Sequence, residues 1–579
     1  MRRILPLSLL SVLCISLAAV PSFGDPAGQA PGAPVAGSST VIAPTGAAGA
    51  NGGVGVGVGR TPSAAGADGA DGPSAPIVSV GPLGPSAPAA GSPYEPMYQL
   101  PTSPTAAPPG AAPPGQPDAP TTNSEYQDLY DHALRDFNQG RLVPAQEELK
   151  ILVQTSPKDA GLHGLLGFVY LKNKNPDAAI LELKTATTLD PTDTAAENNL
   201  GQAYLETGKT DDALDLYKDV VFRSPKDGIA YMNLGVVYAR TGHIYEAMTA
   251  LKVSIDQRPT ALAYYNLGLA QSESIDDTDA MRSFTAATVL NPRYANAFLN
   301  LGILQAKNKE TNKAFDSISQ AVALNCDHQY SAYYTLGQIH AKQKQYILAE
   351  YSFAKATEID PTQFLGYYNL GVVEENLGKK ASAIAAYQEA IKLKPDDAQT
   401  ILNIGLLQVA IGRNDGAVYT LNKAIALNPN FAAAHSTLGF IYGQENKLDL
   451  AVPEWKAALE FDPLDDRSRV SLASYYYNHK EYKKAESEYA AISGPDAQNA
   501  SVLIARGVAS ESAGDLKTAA SCFRQALGVD PTNAQAENNL GVVYEKMGRR
   551  KQAIDAYTSA LKMDPTLAEA QANLKRFQQ

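Results

Sequence analysis

Cysteine is scarce in this sequence. Only three occur in 579 residues, namely Cys14, Cys326 and Cys522. Three thiols cannot build the disulfide framework that holds many small secreted domains together. Apolar packing must therefore hold the fold, and we expect Cys326 and Cys522, which lie far apart in the sequence, to be free and mostly buried thiols without a redox role.

An excess of basic residues is also missing. Beyond residue 123 the chain has 45 Lys and Arg against 55 Asp and Glu, a net charge of −10. Proteins that hold phosphates need a basic stripe that displaces counterions. The acidic balance therefore argues against nucleic acid and anionic lipid surfaces as partners.

Sequence motifs of catalysis and metal binding are absent. The seven histidines are scattered, and the sequence contains no HExxH, G-x-S-x-G or P-loop pattern. The run Cys326-Asp327-His328 has two soft ligands but lacks the further partners that a zinc site needs. We therefore expect no enzymatic activity, no cofactor and no metal; a site assembled from dispersed residues is the enzymatic alternative, which activity screening would reveal.

Charged side chains almost disappear between residues 25 and 123. This stretch has six of them in 99 positions, together with 20 of the 37 prolines and 18 of the 45 glycines. Pro plus Gly exceeds the roughly 25–30% that marks low-complexity sequence. Such a segment cannot bury enough apolar surface to offset the entropy of ordering it. We predict a disordered Pro/Gly/Ala-rich linker, with a proline-rich ligand segment as the alternative to a simple spacer.

The first 24 residues have the layout of a secretory signal peptide. Arg2 and Arg3 precede an apolar run over Ile4–Val20, and Ser22 and Gly24 supply small residues before a possible cleavage site. The sequence therefore predicts an exported protein, periplasmic or secreted. The alternative is an uncleaved membrane anchor, although the run is marginal for the ~20 residues that a span needs.

The rest of the chain is a repeat. A small residue recurs about every 34 residues, an alanine follows twelve positions later, and a proline usually follows twelve positions after that. The small residues are Gly167, Gly201, Gly235, Gly268, Gly302, Gly337, Gly371, Gly405, Gly439, Ala473, Gly507 and Gly541. Each unit has the apolar spacing of two amphipathic helices, whose backbones can approach at the small residues. The proline ends the second helix, because the residue before it is pushed out of helical geometry.

Thirteen such units over residues 124–567 resemble the tetratricopeptide repeat family, whose signature is W-x₂-L-G-x₂-Y…A-x₃-F…P. The resemblance implies an all-α solenoid, a right-handed superhelix of helix-turn-helix repeats whose first helices line the concave face. Residues 568–579 fit a final helix that caps the last unit. Two departures stand out: Cys326 replaces the proline of the sixth unit, and Pro495 is displaced in the eleventh, which predicts a reshaped loop around Ser493-Gly494.

Asparagine occupies the position two residues before the glycine in seven of the thirteen units. The seven are Asn199, Asn233, Asn266, Asn300, Asn369, Asn403 and Asn539. Asparagine is a mediocre helix former, so its repetition in mid-helix needs a reason. A side-chain amide both donates and accepts, and a row of them can pair with an extended peptide backbone. The row resembles the asparagine ladder in the tetratricopeptide superhelix of O-linked N-acetylglucosamine transferase; the alternative is that each amide binds a neighbouring unit.

Aromatic and polar residues mark the central units. Tyr265, Tyr334 and Tyr368 directly precede the row position, and we expect them to reach toward the groove as binding residues, with core packing as the alternative. Polar residues replace the signature tyrosine in five consecutive units, which indicates either wet side-chain tips or a specialised segment of the groove. These are Gln271, Gln305, His340, Glu374 and Gln408.

The sequence thus favours a non-enzymatic scaffold that binds an extended segment of a protein or peptide partner within an exported complex. The alternative is an envelope protein of polysaccharide export whose groove binds glycans. Stacked aromatics would favour the second hypothesis, whereas the repeated amides and the acidic balance do not decide between the two.

Overall fold

The computed structural model describes residues 122–274 and 276–577, without the side chains of Asn123 and Pro495. The expected signal peptide and all but the end of the expected linker lie outside these ranges. Within them the chain is α-helical, with one short 3₁₀ helix and no strand. The prediction of an all-α solenoid of helix-turn-helix repeats is confirmed. The described chain forms two units, residues 122–360 and 361–577.

The first unit contains fourteen described helices, two per repeat. They are α1 (Asn123–Asn138), α2 (Leu142–Thr155), α3 (Ala160–Lys172), α4 (Pro176–Leu189), α5 (Thr194–Glu206), α6 (Thr210–Arg223), α7 (Gly228–Arg240), α8 (Ile244–Gln257), α9 (Ala261–Glu273), α10 (Asp277–Leu290), α11 (Ala295–Lys307), α12 (Thr311–Ala323), α13 (Gln329–Lys342) and α14 (Tyr346–Ile359).

The second unit contains six further helix pairs and a last single helix among its described residues. They are α15 (Phe364–Asn376), α16 (Lys380–Leu393), α17 (Ala398–Ala410), α18 (Asn414–Leu427), α19 (Ala432–Gln444), α20 (Leu448–Phe461), α21 (Asp466–Asn478), α22 (Tyr482–Ala490), α23 (Ala500–Ser512), α24 (Leu516–Val529), α25 (Ala534–Lys546), α26 (Arg550–Met563) and α27 (Ala568–Lys575).

Each helix packs on its neighbours in sequence. Within each unit, the first helix of a repeat contacts the second helix, which in turn contacts the first helix of the next repeat. First helices also touch one another directly, as α5 touches α7 and α7 touches α9. We call the first helices the inner layer of each unit. Contacts restricted to adjacent repeats are the hallmark of a solenoid.

The recurring glycine lies against a large side chain of the second helix. A Cβ on Gly268 would lie 2.8 Å from the Phe284 ring, and a Cβ on Gly337 would lie 2.7 Å from the Phe353 ring. Both rings are buried. The 34-residue spacing therefore repeats one contact, a glycine receiving a bulky side chain sixteen residues later.

The turn between the two helices contains a left-handed residue in every repeat where the structure describes that position. Gly208 has φ 74°, and the following Lys209 N–H donates to the Tyr204 carbonyl at 2.8 Å. This bond closes the end of the first helix in the Schellman manner. Glycine adopts that geometry freely, yet Lys174 and Lys309 hold it with side chains.

The sixth repeat ends differently from those that carry the proline. Its second helix, α12, stops at Ala323, Asn325 is left-handed at φ 59°, and the Cys326 N–H donates to the Ala321 carbonyl. The helix thus ends through a turn, since no proline stops it. Cys326 and Cys522 are free and buried, as expected, and burial raises the pKa of both thiols.

The eleventh repeat has the reshaped connection that its displaced proline predicts. Its second helix, α22, has only nine residues, and a 3₁₀ helix follows at Gly494–Gln498. Ala473 stands in this repeat where other repeats have glycine. The Ser493 N–H donates to the Asp466 carboxylate at 3.3 Å and fastens the loop to α21.

Helix α27 lies against the last complete repeat, with contacts to both α25 and α26. Throughout the part of the chain that the structure describes, no helix combines the length and the apolar character that a membrane crossing requires.

Candidate functional site

The asparagine row lies in the middle of the first helices. In the first unit Asn199, Asn233, Asn266 and Asn300 come from four successive first helices, α5, α7, α9 and α11. In the second unit, Asn369, Asn403 and Asn539 come from α15, α17 and α25. Because α5 touches α7 and α7 touches α9, the amides of Asn199, Asn233 and Asn266 lie on directly neighbouring helices of the inner layer.

The row is mostly closed to solvent. Five of the seven residues are 0% exposed, Asn403 is 3% exposed, and Asn300 is half-buried. The fully buried five are Asn199, Asn233, Asn266, Asn369 and Asn539, none of which lacks a partner. Burial of an amide without hydrogen bonds costs on the order of 2–7 kcal/mol. Amides buried in these helices must therefore be hydrogen-bonded.

One amide of the row links two repeats. The Asn300 Nδ2 donates to the Tyr265 hydroxyl at 3.3 Å, which joins α11 to α9. The Tyr265 ring is 4.8 Å from that of Tyr294 and 5.8 Å from that of Phe284. Asn300 is therefore half-buried and at the same time holds two neighbouring repeats together.

Asn403 lies among buried hydroxyl groups of the preceding repeat. Its Oδ1 accepts a hydrogen bond from the Gln399 Nε2 at 3.0 Å. Its side chain also contacts the hydroxyls of Tyr368 and Tyr387. The Asn403–Tyr368 contact has the same 35-residue spacing as the bond between Asn300 and Tyr265, so Asn403 also joins two repeats.

The three tyrosines beside the row are buried, where we expected them to reach an open surface. Tyr265 is 4% exposed, Tyr334 0% and Tyr368 3%. Their rings pack on Phe284, Phe353 and Tyr387 respectively, the side chains that also receive the glycines. Burial raises the pKa of Tyr368 to about 12. A tyrosine that precedes a row position is thus part of the repeat core, whereas the tyrosine before it in each pair is half-buried.

Family models match seven stretches of the chain as tetratricopeptide repeats. The matched residues are 160–193, 198–262, 330–363, 364–397, 408–445, 500–533 and 534–567. The chain is a tetratricopeptide-repeat protein. A model of anaphase-promoting complex subunit 5 also matches residues 264–338.

Solved structures with the same kind of fold match parts of the chain. YrrB, described as a tetratricopeptide-repeat protein with an unusual peptide-binding site, is 21% identical over 32% of this chain and 96% of its own, with a TM-score of 0.31. The Cut9–Hcn1 hetero-tetramer of the APC/C is 14% identical over 78% and 96%, with a TM-score of 0.31. PilF of Pseudomonas aeruginosa is 17% identical over 36% and 96%, with a TM-score of 0.32. Among curated proteins, no sequence matches the chain.

Tetratricopeptide repeats indicate a scaffold for protein–protein interaction. Proteins of this family bind protein or peptide partners and are generally not catalytic. The repeats therefore indicate that this chain is a protein-interaction scaffold.

The polar residues of the central tetratricopeptide repeats make internal hydrogen bonds. The Ser283 hydroxyl donates to the Gln271 Oε1 at 2.6 Å, and the Ser317 hydroxyl donates to the Gln305 Oε1 at 2.8 Å. His340 Nδ1 is 2.9 Å from Gln345 Oε1. In two of the five central repeats, a glutamine at the tyrosine position is thus paired with a serine on the second helix. The sequence analysis noted the glutamines but not their serine partners.

A repeated ion pair also escaped sequence reasoning. His163 Nδ1 is 2.6 Å from Glu182 Oε2, His435 Nδ1 is 2.6 Å from Glu454 Oε2, and Arg469 Nη1 is 3.1 Å from Glu488 Oε2. Each pair has the same 19-residue spacing. A search for complementary charges at one spacing across the repeats would have found them.

The surroundings of His163 shift its pKa. Burial lowers its pKa, but the hydrogen bonds to Glu182 and to the Pro157 carbonyl, with the nearby Asp159 charge, raise the pKa above its ordinary value overall. The pair therefore fastens α3 to α4 most strongly when the imidazole is charged.

Proposed function

We propose that this protein is a non-enzymatic scaffold whose inner layer binds an extended peptide segment of a partner protein. The observation that carries the proposal is the succession of amides at one turn of α5, α7, α9 and α11. An amide presents a donor and an acceptor side by side, which is the pattern of a peptide backbone. Recognition through such a row depends on the partner's main chain and little on its side chains.

In the first unit, Asn300 is the residue of the row that a peptide can reach. Asn300 is half-buried, whereas Asn199, Asn233 and Asn266 are closed to solvent. A peptide can therefore meet Asn300 first, and contact with the other three requires a change in their surroundings.

The decisive experiment compares two modifications of one bound peptide. A peptide array probed with the full chain supplies the binder, and isothermal titration then compares its alanine scan with a scan of backbone N-methylation. Main-chain recognition predicts that single N-methyl groups weaken binding about tenfold, by the ~1.4 kcal/mol of one lost hydrogen bond. Strong alanine effects without N-methyl effects would overturn backbone recognition.

Variants of the protein locate the site. Asn300→Ala removes the half-exposed amide of the row and should weaken the peptide by about tenfold, the effect of one hydrogen bond. Asn312→Ala is the matched control, because Asn312 is exposed on the second helix α12 of the same repeat. Equal affinity of both variants and the wild-type chain would remove the row from the binding surface.

We also propose that residues 1–24 direct the scaffold to an exported complex. The support is the charged start, the apolar run and the small residues before Asp25. Mass spectrometry of the chain purified from cells should find a mature N-terminus at Asp25. A chain that retains Met1 and Arg2 would contradict cleavage.

A further inference from the structure

An imidazole and two carboxylates converge in the first repeat. His132 and Asp136 are four residues apart on α1 and so share one face of that helix. Glu148 faces them from α2. The nitrogen of His132 and one oxygen of each carboxylate all lie within 4.8 Å of one another. Over residues 122–274 and 276–577, no other group of three such side chains comes this close.

The contacts inside this cluster leave one ligand atom unused. His132 Nδ1 is hydrogen-bonded to Glu148 Oε1, and Asp136 is paired with Arg141. Glu148 Oε2 is buried without a hydrogen-bond partner. Two other His–Glu pairs, those of His163 and His435, bring no third ligand, so the first repeat differs from them by Asp136 and by this orphaned oxygen.

Burial and exposure are divided as a metal site requires. The Asp136 side chain is 4% exposed and that of Glu148 is 17% exposed, so their charges are largely removed from water. The His132 side chain is 51% exposed and leaves the cluster open to solvent on one side. An ion can enter from that side and keep water in its remaining coordination positions.

We propose that His132, Asp136 and Glu148 bind a divalent transition-metal ion, with zinc as the best match. One imidazole nitrogen and two carboxylate oxygens are a ligand set that zinc accepts at about 2.0–2.2 Å. Donors at that distance from one ion are ~3.4 Å apart, so the hydrogen bond between His132 and Glu148 must open slightly while the other ligand atoms, all within 4.8 Å, move closer. Bound zinc gives the buried Glu148 oxygen a partner and ties α1 to α2 in the first described repeat.

Arg141 supplies the sharpest test. Its guanidinium holds Asp136 and repels an incoming cation. Arg141→Gln frees the carboxylate and leaves all three ligands in place, so the metal site predicts tighter zinc binding in this variant. A cluster that is only an ion-pair network predicts unchanged zinc affinity.

Isothermal titration of the full chain, free of any histidine tag, measures the affinity for zinc chloride. One zinc ion per chain is expected, with little competition from magnesium, which prefers all-oxygen sites. Glu148→Gln and His132→Gln should weaken zinc by at least about tenfold, since even partners outside the first coordination sphere have effects of ~10–100-fold. The double variant His435→Gln, Glu454→Gln is the matched control and should bind zinc as the wild-type chain does.

The outcomes decide the proposal. Tighter binding in Arg141→Gln, weaker binding in Glu148→Gln and an unchanged control support it, and cobalt substitution should then give an absorption spectrum that Glu148→Gln loses. Equal zinc affinity in all variants, or a loss confined to the control, would overturn it. If a ligand variant loses helicity, the Arg141→Gln result alone decides, because that variant keeps the ligands.

Discussion

Single residues decide how closely two helices of a repeat approach. Gly201 illustrates this, because a Cβ there would lie 2.7 Å from the Tyr217 hydroxyl oxygen and 2.8 Å from a ring carbon. Tyr217 cannot swing away, since it is fully buried and its hydroxyl donates to the Asn198 carbonyl at 2.9 Å. A methyl group at this place must therefore push the helices apart.

Gly201→Ala should destabilise the first unit by about 1–3 kcal/mol, the usual effect of overpacking, and this exceeds the gain of up to ~1 kcal/mol from better helix propensity. Gly528→Ala is the control, since Gly528 lies in helix α24 with nothing near its missing Cβ. The control should be neutral or stabilised. Urea titration followed by circular dichroism compares the two, and an equal shift in both would contradict the close-approach account.

The charge of His163 predicts a pH dependence of stability. Its pKa is raised in the folded chain, so its stabilising contribution is complete below the unfolded pKa of about 6.5 and is lost as the pH rises through the folded pKa. Between about pH 5 and pH 8, the wild-type chain should lose more stability than His163→Gln does.

Glutamine is the right replacement because Gln571 Nε2 donates to the Pro565 carbonyl at the equivalent place in α27. His163→Gln thus keeps the bond to Pro157 and removes the titrating ion pair with Glu182. Thermal unfolding over the pH series checks the result. The same pH slope in both chains, or a wild-type chain that gains stability at high pH, would contradict the assignment.

For single residues, the sequence predicted which positions carry small side chains better than it predicted which side chains face the core. The spacing located the small residues, because at each glycine of the series a Cβ would collide with the large side chain of the second helix. It could not tell which member of the pair Tyr264-Tyr265 is buried, since neighbouring residues on a helix differ in direction by about 100° and both are aromatic. Glu148 likewise gained a role only when the fold brought α2 to α1.

Among elements, the turn inside a repeat is strained where a residue other than glycine adopts the left-handed conformation. Lys309 has φ 64° and an exposed side chain. A left-handed conformation costs a residue other than glycine roughly 1–2 kcal/mol. Glycine avoids this cost but loses roughly 0.5–1 kcal/mol more conformational entropy on folding. The net free energy of folding therefore favours glycine at this turn.

Lys309→Gly should therefore stabilise its repeat by about 0.5–1 kcal/mol. The reverse change, Gly208→Lys at the equivalent turn, should destabilise by a similar amount. Hydrogen exchange of α11–α12 and α5–α6 reports each locally. A loss of protection in Lys309→Gly would show that the lysine side chain contributes more than its backbone costs.

Element boundaries were predictable where chemistry marks them. Proline stops most second helices because it constrains the residue before it. Where Cys326 replaces it, the sequence flagged a departure but could not specify the Asn325 turn, because several residue types can end a helix in that way.

On the scale of the whole molecule, the repeat made the architecture predictable from the sequence alone. Each hairpin needs only its neighbours, so one spacing specified thirteen times leaves little freedom in the fold. The same arrangement makes the ends special, because a terminal repeat has a free face. Helix α27 covers that face in the second unit.

The C-terminal segment is held on α25 and α26 by hydrogen bonds and a ring contact. The Asn573 Nδ2 donates to the buried Asn538 Oδ1 at 2.9 Å, and the Arg576 guanidinium donates to the Glu545 carboxylate at 3.0 Å. The Phe577 ring lies 6.2 Å from that of Tyr557. Removal of these groups leaves the Asn538 Oδ1 without the Asn573 donor and exposes the apolar cluster of α25 and α26.

Deletion of residues 568–579 should therefore lower the opening free energy of α25–α26 by roughly 1–3 kcal/mol, the cost of an orphaned buried polar group. Helices α15–α18 of the same unit should keep their protection, because interactions in a solenoid pass only between adjacent repeats. Hydrogen exchange with mass spectrometry measures both regions, and Asn573→Ala isolates the amide pair. If α15–α18 lose protection together with α25–α26, the unit unfolds as one cooperative body and nearest-neighbour stability does not describe it.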